Sequence, residues 1–438
     1  MINRRSSINI DYLLIIATVA LILIGILFIY SSAINSEGKL TSNEYIRQII
    51  WAVIGAAMMI AVSLVKYDML RDFSPIIYGF FFFLLGFTLF RGAVVNGARS
   101  WLGIGPFGIQ PSEFMKLGII LLLAYYLDRA GERDIGGVRV FFVSFLIIIP
   151  PMALVLLQPD FGTAMVYMPI ALFMLYAAGA RPLYLIFIIA VIFFTGIFTV
   201  LPEWERMIYE GSIEIFAIFN EPVYFALISG GLLLSLVISL VGLFGLKKEY
   251  FFFIAMGFAI LLISFVLAPG ARWFLRDHQM MRLIVFLDPY VDPRGAGWNI
   301  IQSLTAVGSG GFSGMGFLQG TQSHYQYLPQ QSTDFIFSIL SEEWGFLGGV
   351  LISGLYGGII LRGVIIAHQA RTRFGAFIAV GVISMLFFHF IVNVGMAIGL
   401  MPITGIPLMF LSYGGSSLWT ALLGMGLLMS VSHHRYTY

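Results

Sequence analysis

Apolar residues fall into twelve long runs, at about 12–33, 46–64, 75–91, 113–127, 138–157, 163–179, 183–201, 222–244, 250–268, 336–361, 375–400 and 407–431. Most are roughly 17 to 25 residues long, the length of helix that crosses a hydrocarbon core about 30 Å thick. The run at 113–127 is the shortest. A bilayer leaves an open chain no other way to pair its backbone amides, so the runs predict helices. The expected fold is an all-α polytopic membrane helix bundle of about twelve transmembrane helices in a single domain, 1–438.

The polar segments between the runs predict sidedness. With the N-terminus inside, the short inner segments carry the basic residues, as in "LKKEY" and "RTRF", and the outer "MPITG" carries none. This is the positive-inside pattern, and an even span count places both termini in the cytoplasm. Two outer loops are long. The acidic one at 202–221 holds Glu203, Glu205, Glu210, Glu214 and Glu221 and predicts an interfacial helix in "IYEGSIEIFAIF". The other, 269–334, is a large extracytoplasmic loop, too long to be structureless. Within it "NIIQSLTAV" reads as a short amphipathic helix and "GSGGFSGMG" as a flexible turn.

Composition sharpens the class. Of 438 residues, 59% are hydrophobic and only 11% charged, against about a quarter charged in soluble domains. The net charge of +2 and the lack of a basic tract point away from nucleic acid. With no Cys, disulfides and thiol chemistry are excluded. Neither a Walker A loop nor a G-x-S-x-G elbow is present, and no His/Asp cluster has metal-ligand spacing.

Chemistry-bearing residues gather at the outer ends of the spans. Asp334 in "YLPQQSTDFIF" is either the cap of the following span, with Thr333, or a general base at the membrane surface. Glu113 and Lys116 in "QPSEFMKLG" lie three apart on one helix face. They are either a structural ion pair under a Ser112 N-cap or the lining of a cavity for an anionic substrate. Asp160 in "QPDFGTA" reads as a turn or N-cap residue, with a polar substrate contact as the alternative. Arg99 beside Trp101 suits a phosphate, although an interfacial Trp is commonly a belt residue. In the large loop, Arg272, Arg276, Arg282 and Arg294 suit a pyrophosphate, some of them pairing with Asp288 and Asp292. Glu342 and Glu343 enter the tenth span, one of them facing inward with Asp334. His389 and Asn393, one turn apart, read as interhelical hydrogen-bonding residues. An enzyme with this outward-facing set needs a lipid-linked donor, since nucleotide-activated donors are not found there.

The segments "GARSWLGIGPFGIQPSEFMKLG", "QPDFGTA", "RLIVFLDPYVDPRGAGWNIIQS", "YLPQQSTDFIFSILSEEWGFLGG" and "MPITGIPLMFLSYGGSSL" follow one another in the order found in the SEDS family (shape, elongation, division, sporulation). The chain resembles that family over nearly its whole length, its elongation branch (RodA) more than its division branch (FtsW). The resemblance implies a peptidoglycan glycosyltransferase in the bacterial cytoplasmic membrane that polymerises lipid II, with Asp334 as the catalytic base. It implies that Glu113 and Lys116 belong to the site, and that a class B penicillin-binding protein is the transpeptidase partner. Lys116, Arg99 and Arg282, or a divalent cation (Mg or Mn), are the candidates for the departing pyrophosphate; no other cofactor is implied. Two features depart from the family. Gln330, Gln331 and Ser332 stand where Glu-x-His often precedes Thr-Asp. Relatives have ten spans, so an extra pair is expected within 183–268, with an insertion at 202–249. The competing reading is a lipid II flippase, which moves the same substrate without bond chemistry. A third is a scaffold for the partner, for which Asp334 is dispensable.

Overall fold

The structure is a computed structural model, and it describes residues 11–95, 98–103, 108–134, 137–208 and 217–434. The chain divides into two compact units, Met1–Ala180 with Asn299–Tyr438, and Arg181–Trp298. In the first, α1 (Tyr12–Ser32), α2 (Glu44–Leu64) and α3 (Tyr67–Arg91) lead into an antiparallel hairpin of β1 (Ala93–Val95) and β2 (Ala98–Trp101). Then come α4 (Pro111–Asp134), α5 (Val138–Leu157) and α6 (Phe161–Ala178). The second unit holds α7 (Pro182–Ile208), the single turn α8 (Ala217–Asn220), α9 (Pro222–Leu246), α10 (Tyr250–Phe274) and α11 (Asp277–Leu287). The chain re-enters the first unit through α12 (Trp298–Ser309), the single turn α13 (Thr321–His324), α14 (Ile336–Gln369), α15 (Arg373–Ala397) and α16 (Gly415–His433).

Eleven of these helices are long and apolar enough to cross a membrane. The twelfth expected span is α4, helical from Pro111 to a kink at Gly131 (φ 68, ψ 169), whose apolar stretch is interrupted by Glu113, Lys116 and Asp128. The protein is thus an all-α, multi-pass membrane helix bundle, with β1–β2 its one strand pair among the described residues. The last apolar run is not one helix: α16 begins at Gly415, and 398–414 is an irregular segment inside the bundle. Hydropathy reports burial, and burial does not distinguish a helix from a packed extended segment. The large loop does contain a helix at "NIIQSLTAV", namely α12, but also α11, which the sequence reading missed. The interfacial helix expected at 208–219 lies mostly outside the described residues, which include only its end, in α8.

α15 and α16 form the centre of the first unit, with 67% and 83% of their apolar windows buried. α2 lies along α16; α14, α6 and α4 pack on α15. Contacts mark two ends. At one, Arg362 Nε meets Asp11 at 2.6 Å, Arg71 meets Asp128 at 2.6 Å and Ser430 bonds Val65 O. At the other gather 33–43, 108–110, 158–160, 327–335 and 398–414, tied by bonds such as Gln331 to Ser32, Gln110 to Asp160 and Ser416, and Tyr413 to Ser332. In the second unit α10 packs on both α7 and α9 around Phe198, Phe219, Phe225 and Phe265. Little of α7 and α9 is buried within the protein, leaving wide apolar faces.

One span is broken to make room for a loop. α14 is interrupted at Gly345 (φ 62, ψ −157). The break frees the carbonyls of Glu342 and Glu343 and the amides of Phe346 and Leu347. The loop at 310–316 takes them all: Met315 N and Gly316 N donate to the two carbonyls, while Gly311 O and Phe312 O accept from the two amides, at 2.9–3.1 Å. Irregular backbone survives inside a membrane protein only when its polar groups are paired in this way. The "GSGGFSGMG" stretch, read as a flexible turn, is therefore pinned to α14. A Cβ on Gly345 would lie 2.3 Å from Gly314 N, in a conformation L residues rarely adopt. Gly345→Ala is expected to destabilise the protein by about 3 kcal/mol or more, read as a lowered unfolding temperature in detergent.

Candidate active site

The irregular segment 398–414 organises the site. Ile406, Leu408, Met409, Phe410 and Leu411 are all buried. Its backbone is paired largely by side chains from the surrounding helices. His389 Nδ1 donates to Pro407 O (2.9 Å), Asn393 Nδ2 to Ile406 O (2.9 Å) and Gln48 Nε2 to Ser412 O (3.1 Å), and Tyr356 OH donates to Met409 O. Gly162 sits where a Cβ would come within 2.4 Å of Thr404 O, so the start of α6 closes directly on the segment.

Asp334 lies on a turn clamped from three directions. Gln330, at φ 53, accepts through its carbonyl from Thr333 N, Asp334 N and Phe335 N. Gln331 Nε2 donates to Ser32 O at the end of α1 (2.7 Å), and Tyr413 N donates to Ser332 O (2.8 Å). Asn393 Nδ2 donates to Asp334 O (2.8 Å), so one amide group holds both the backbone of Asp334 and that of Ile406. The cap position of α14 is Phe335, not Thr333 or Asp334. Thr333 turns its hydroxyl back onto Gln330.

Glu113 and Lys116 form a buried ion pair, Nζ to Oε1 2.7 Å, with Lys116 fully enclosed. Lys116 Nζ also lies 3.0 Å from His389 Nε2. Pro407 O can only accept, so His389 carries its hydrogen on Nδ1 and presents Nε2 as acceptor to the ammonium. Lys116 is thereby linked to the buried segment, and through Asn393 to the turn of Asp334. Ser112 is not the cap of α4: Pro111 opens the helix and Ser112 lies inside its first turn. Among the described residues, Ser112 Oγ, Glu113 Oε2, Ser417 Oγ and Thr420 Oγ1 are buried without a hydrogen-bond partner. They lie on the first turn of α4 and the first two turns of α16, whose starts meet where Gln110 N, just before α4, donates to Ser416 Oγ (2.9 Å). Buried polar groups demand partners, so this junction suits water or polar substrate atoms.

Asp160 is the N-cap of α6, accepting from Thr163 N (3.1 Å) and Thr163 Oγ1 (2.8 Å). It also accepts from Gln110 Nε2 (2.7 Å), which ties α6 to the start of α4. Burial raises its pKa; the bonds from Thr163 oppose this and the charge of Glu113 adds to it. The native protein therefore holds this proton more tightly than the unfolded chain. The stability the group contributes is present below the ordinary carboxylate value, about 4, and is lost as pH rises through the raised native value. The slope of unfolding temperature against pH should be less negative in Asp160→Asn than in wild type over that window.

The remaining candidates are dispersed. Arg99 is exposed on β2, opposite Val94. Trp101 ends the strand, its ring over Gly108. Arg282 is exposed on α11 of the second unit. Asp288 and Asp292 accept from backbone amides of their own loop. Glu342 and Glu343 do not line up with Asp334: Glu342 accepts from Thr321 Oγ1 and Gln322 N, and Glu343 from Ser31 Oγ and Leu318 N, so both fasten the 318–323 loop. Arg47, Gln48, Gln110 and Tyr413 were absent from the sequence reading, because only the fold brings them to the site. Arg47 Nη1 lies 3.4 Å from Tyr413 OH. Burial, the leading influence, raises the Tyr413 pKa, and Arg47 opposes the rise. Among the described residues no group of three His, Asp or Glu converges as a metal site.

The model of the FtsW/RodA/SpoVE cell cycle proteins matches residues 12–224 and 225–437. The chain belongs to that family. It is 48% identical to the peptidoglycan glycosyltransferase RodA of Treponema pallidum, over 96% of this chain and 97% of that protein. It is 36% identical to the stage V sporulation protein E of Bacillus subtilis, over 97% of each. A solved structure concerned with coordination of polymerization and crosslinking by a peptidoglycan synthase complex matches with a TM-score of 0.65 and 28% identity, over 99% of this chain and 100% of that one. The family assignment accounts for the order of motifs around Asp334.

Proposed function

We propose that this FtsW/RodA/SpoVE family member is a peptidoglycan glycosyltransferase of the bacterial cytoplasmic membrane, with both termini in the cytoplasm and Asp334 at the outer face. The observation that carries the reading is the clamped turn of Asp334, whose position is fixed by α1, α15 and segment 398–414 at once. Such a turn holds a base in place before substrate arrives. Asp334 takes the proton of the acceptor GlcNAc 4-hydroxyl. The oxygen attacks the anomeric carbon of MurNAc, a C–O bond forms with inversion, and the bond to undecaprenyl pyrophosphate breaks. Arg47 and Arg99 are the candidate cations for the departing pyrophosphate. Lys116, enclosed and already bonded, positions segment 398–414 instead. A class B penicillin-binding protein is the proposed partner, consistent with the synthase complex above. Polar side chains concentrated at one end of the first unit favour an enzyme over a flippase, which needs a path through the bilayer. The test is lipid II offered to purified protein and its partner in detergent micelles, where there is no leaflet to cross. Glycan polymer supports the enzyme, and its absence in an otherwise folded complex overturns the reading.

A further inference from the structure

A cleft of about 340 Å³ opens beside the Asp334 turn, in the range of ligand-sized cavities. Ser32, Thr41, Ser42, Glu44, Gln330, Gln331 and Ser332 line it, with Leu328 and Pro329 as its apolar residues; the Ser32 and Thr41 hydroxyls donate to Ile29 O and Ala33 O and keep their acceptor capacity. Its lining carries one anion and no cation, which disfavours the pyrophosphate. It offers many short-range donors and acceptors instead, the complement of a neutral polyhydroxyl ligand. Gln331 Oε1 is buried without a partner among the described residues, while its Nε2 is fixed on Ser32 O. The bond from Nε2 holds the Gln331 side chain in place. Flanking Gln326, another lining residue, the rings of Tyr325 and Tyr327 stack 5.7 Å apart at 22° and are exposed.

Position adds to composition. Ser332 lines the cleft two residues before Asp334, which puts their Cα atoms at most about 7 Å apart. Gln330 both lines the cleft and receives the Asp334 amide. A saccharide lying in the cleft thus ends within a sugar unit or so of the proposed base.

We infer that this cleft is the subsite for the N-acetylhexosamine units of the acceptor, placing the terminal 4-hydroxyl at Asp334. The inference rests on the glycosyltransferase reading, but binding tests it without turnover. Chitotetraose is titrated into the full-length protein in a detergent without a sugar headgroup, followed by saturation-transfer NMR or calorimetry. Wild type and Asp334→Asn should bind it alike. Ser42→Trp, which fills the cleft, should weaken binding at least tenfold, and Glu44→Leu, which removes an acceptor, about threefold or more. Circular dichroism and unfolding temperature verify that each variant is folded. No binding by wild type, or wild-type affinity in folded Ser42→Trp and Glu44→Leu, would overturn the subsite. Saccharide binding that these variants lose supports it, even if micellar lipid II is not polymerised; that failure would count against the catalytic reading alone.

Discussion

Lys116→Met is expected to destabilise the protein by about 3–5 kcal/mol, the usual consequence of removing one partner of a buried pair. The ammonium satisfies two buried acceptors, Glu113 Oε1 at 2.7 Å and His389 Nε2 at 3.0 Å. Methionine fills much of the same space and satisfies neither. Glu113 already has one oxygen without a partner, so the substitution leaves the whole carboxylate uncompensated. The double variant Glu113→Leu, Lys116→Met removes the stranded charge and should recover much of the loss, giving a coupling of about 2 kcal/mol in a double-mutant cycle. Unfolding in detergent measures it. Additive losses would mean that the pair does not act as a unit. Because His389 also holds Pro407 O, the single variant should loosen segment 398–414, read as faster amide hydrogen exchange there than in wild type.

Asp334→Asn is expected to lower the rate of glycan formation by about 10²–10⁴-fold, the range general base catalysis supplies. The substitution is close to isosteric, and the group that Asn393 holds is the backbone carbonyl, which remains. The variant should therefore fold with an unfolding temperature near that of wild type. Loss of folding would instead make Asp334 structural, and the scaffold reading expects no loss of function at all.

The sequence made the bundle legible because crossing a membrane demands long apolar helices: eleven helices are long and apolar enough, and of the last expected run only the part from Gly415 is helical. Asp160 was legible as a cap, since Pro-Asp before an apolar run has a local cause. The Glu113–Lys116 pairing followed from helical spacing. His389 and Asn393 were legible as hydrogen-bonding residues, but their partners were not. Besides Lys116 and Asp334, those partners are carbonyls of a buried irregular segment, and apolar residues such as Leu408 and Phe410 read the same in a helix or out of one. The break at Gly345 was hidden for a similar reason: its partner strand of backbone, 310–316, is 29 or more residues away in sequence. One of Glu342 and Glu343 is expected to face inward with Asp334; both are buried, and both bond the 318–323 loop. The cleft was invisible because its walls come from 32–44 and 326–332, far apart in sequence and tied by the bonds from Gln331 to Ser32 and from His324 to Ile34.

One comparison bears most directly on the catalytic assignment: lipid II binding and glycan formation by wild type and Asp334→Asn, each purified with the partner in the same micelles. The prediction is unchanged lipid II affinity with polymer formed at about one hundredth of the wild-type rate or less. Polymer at the wild-type rate from the Asn variant would contradict it.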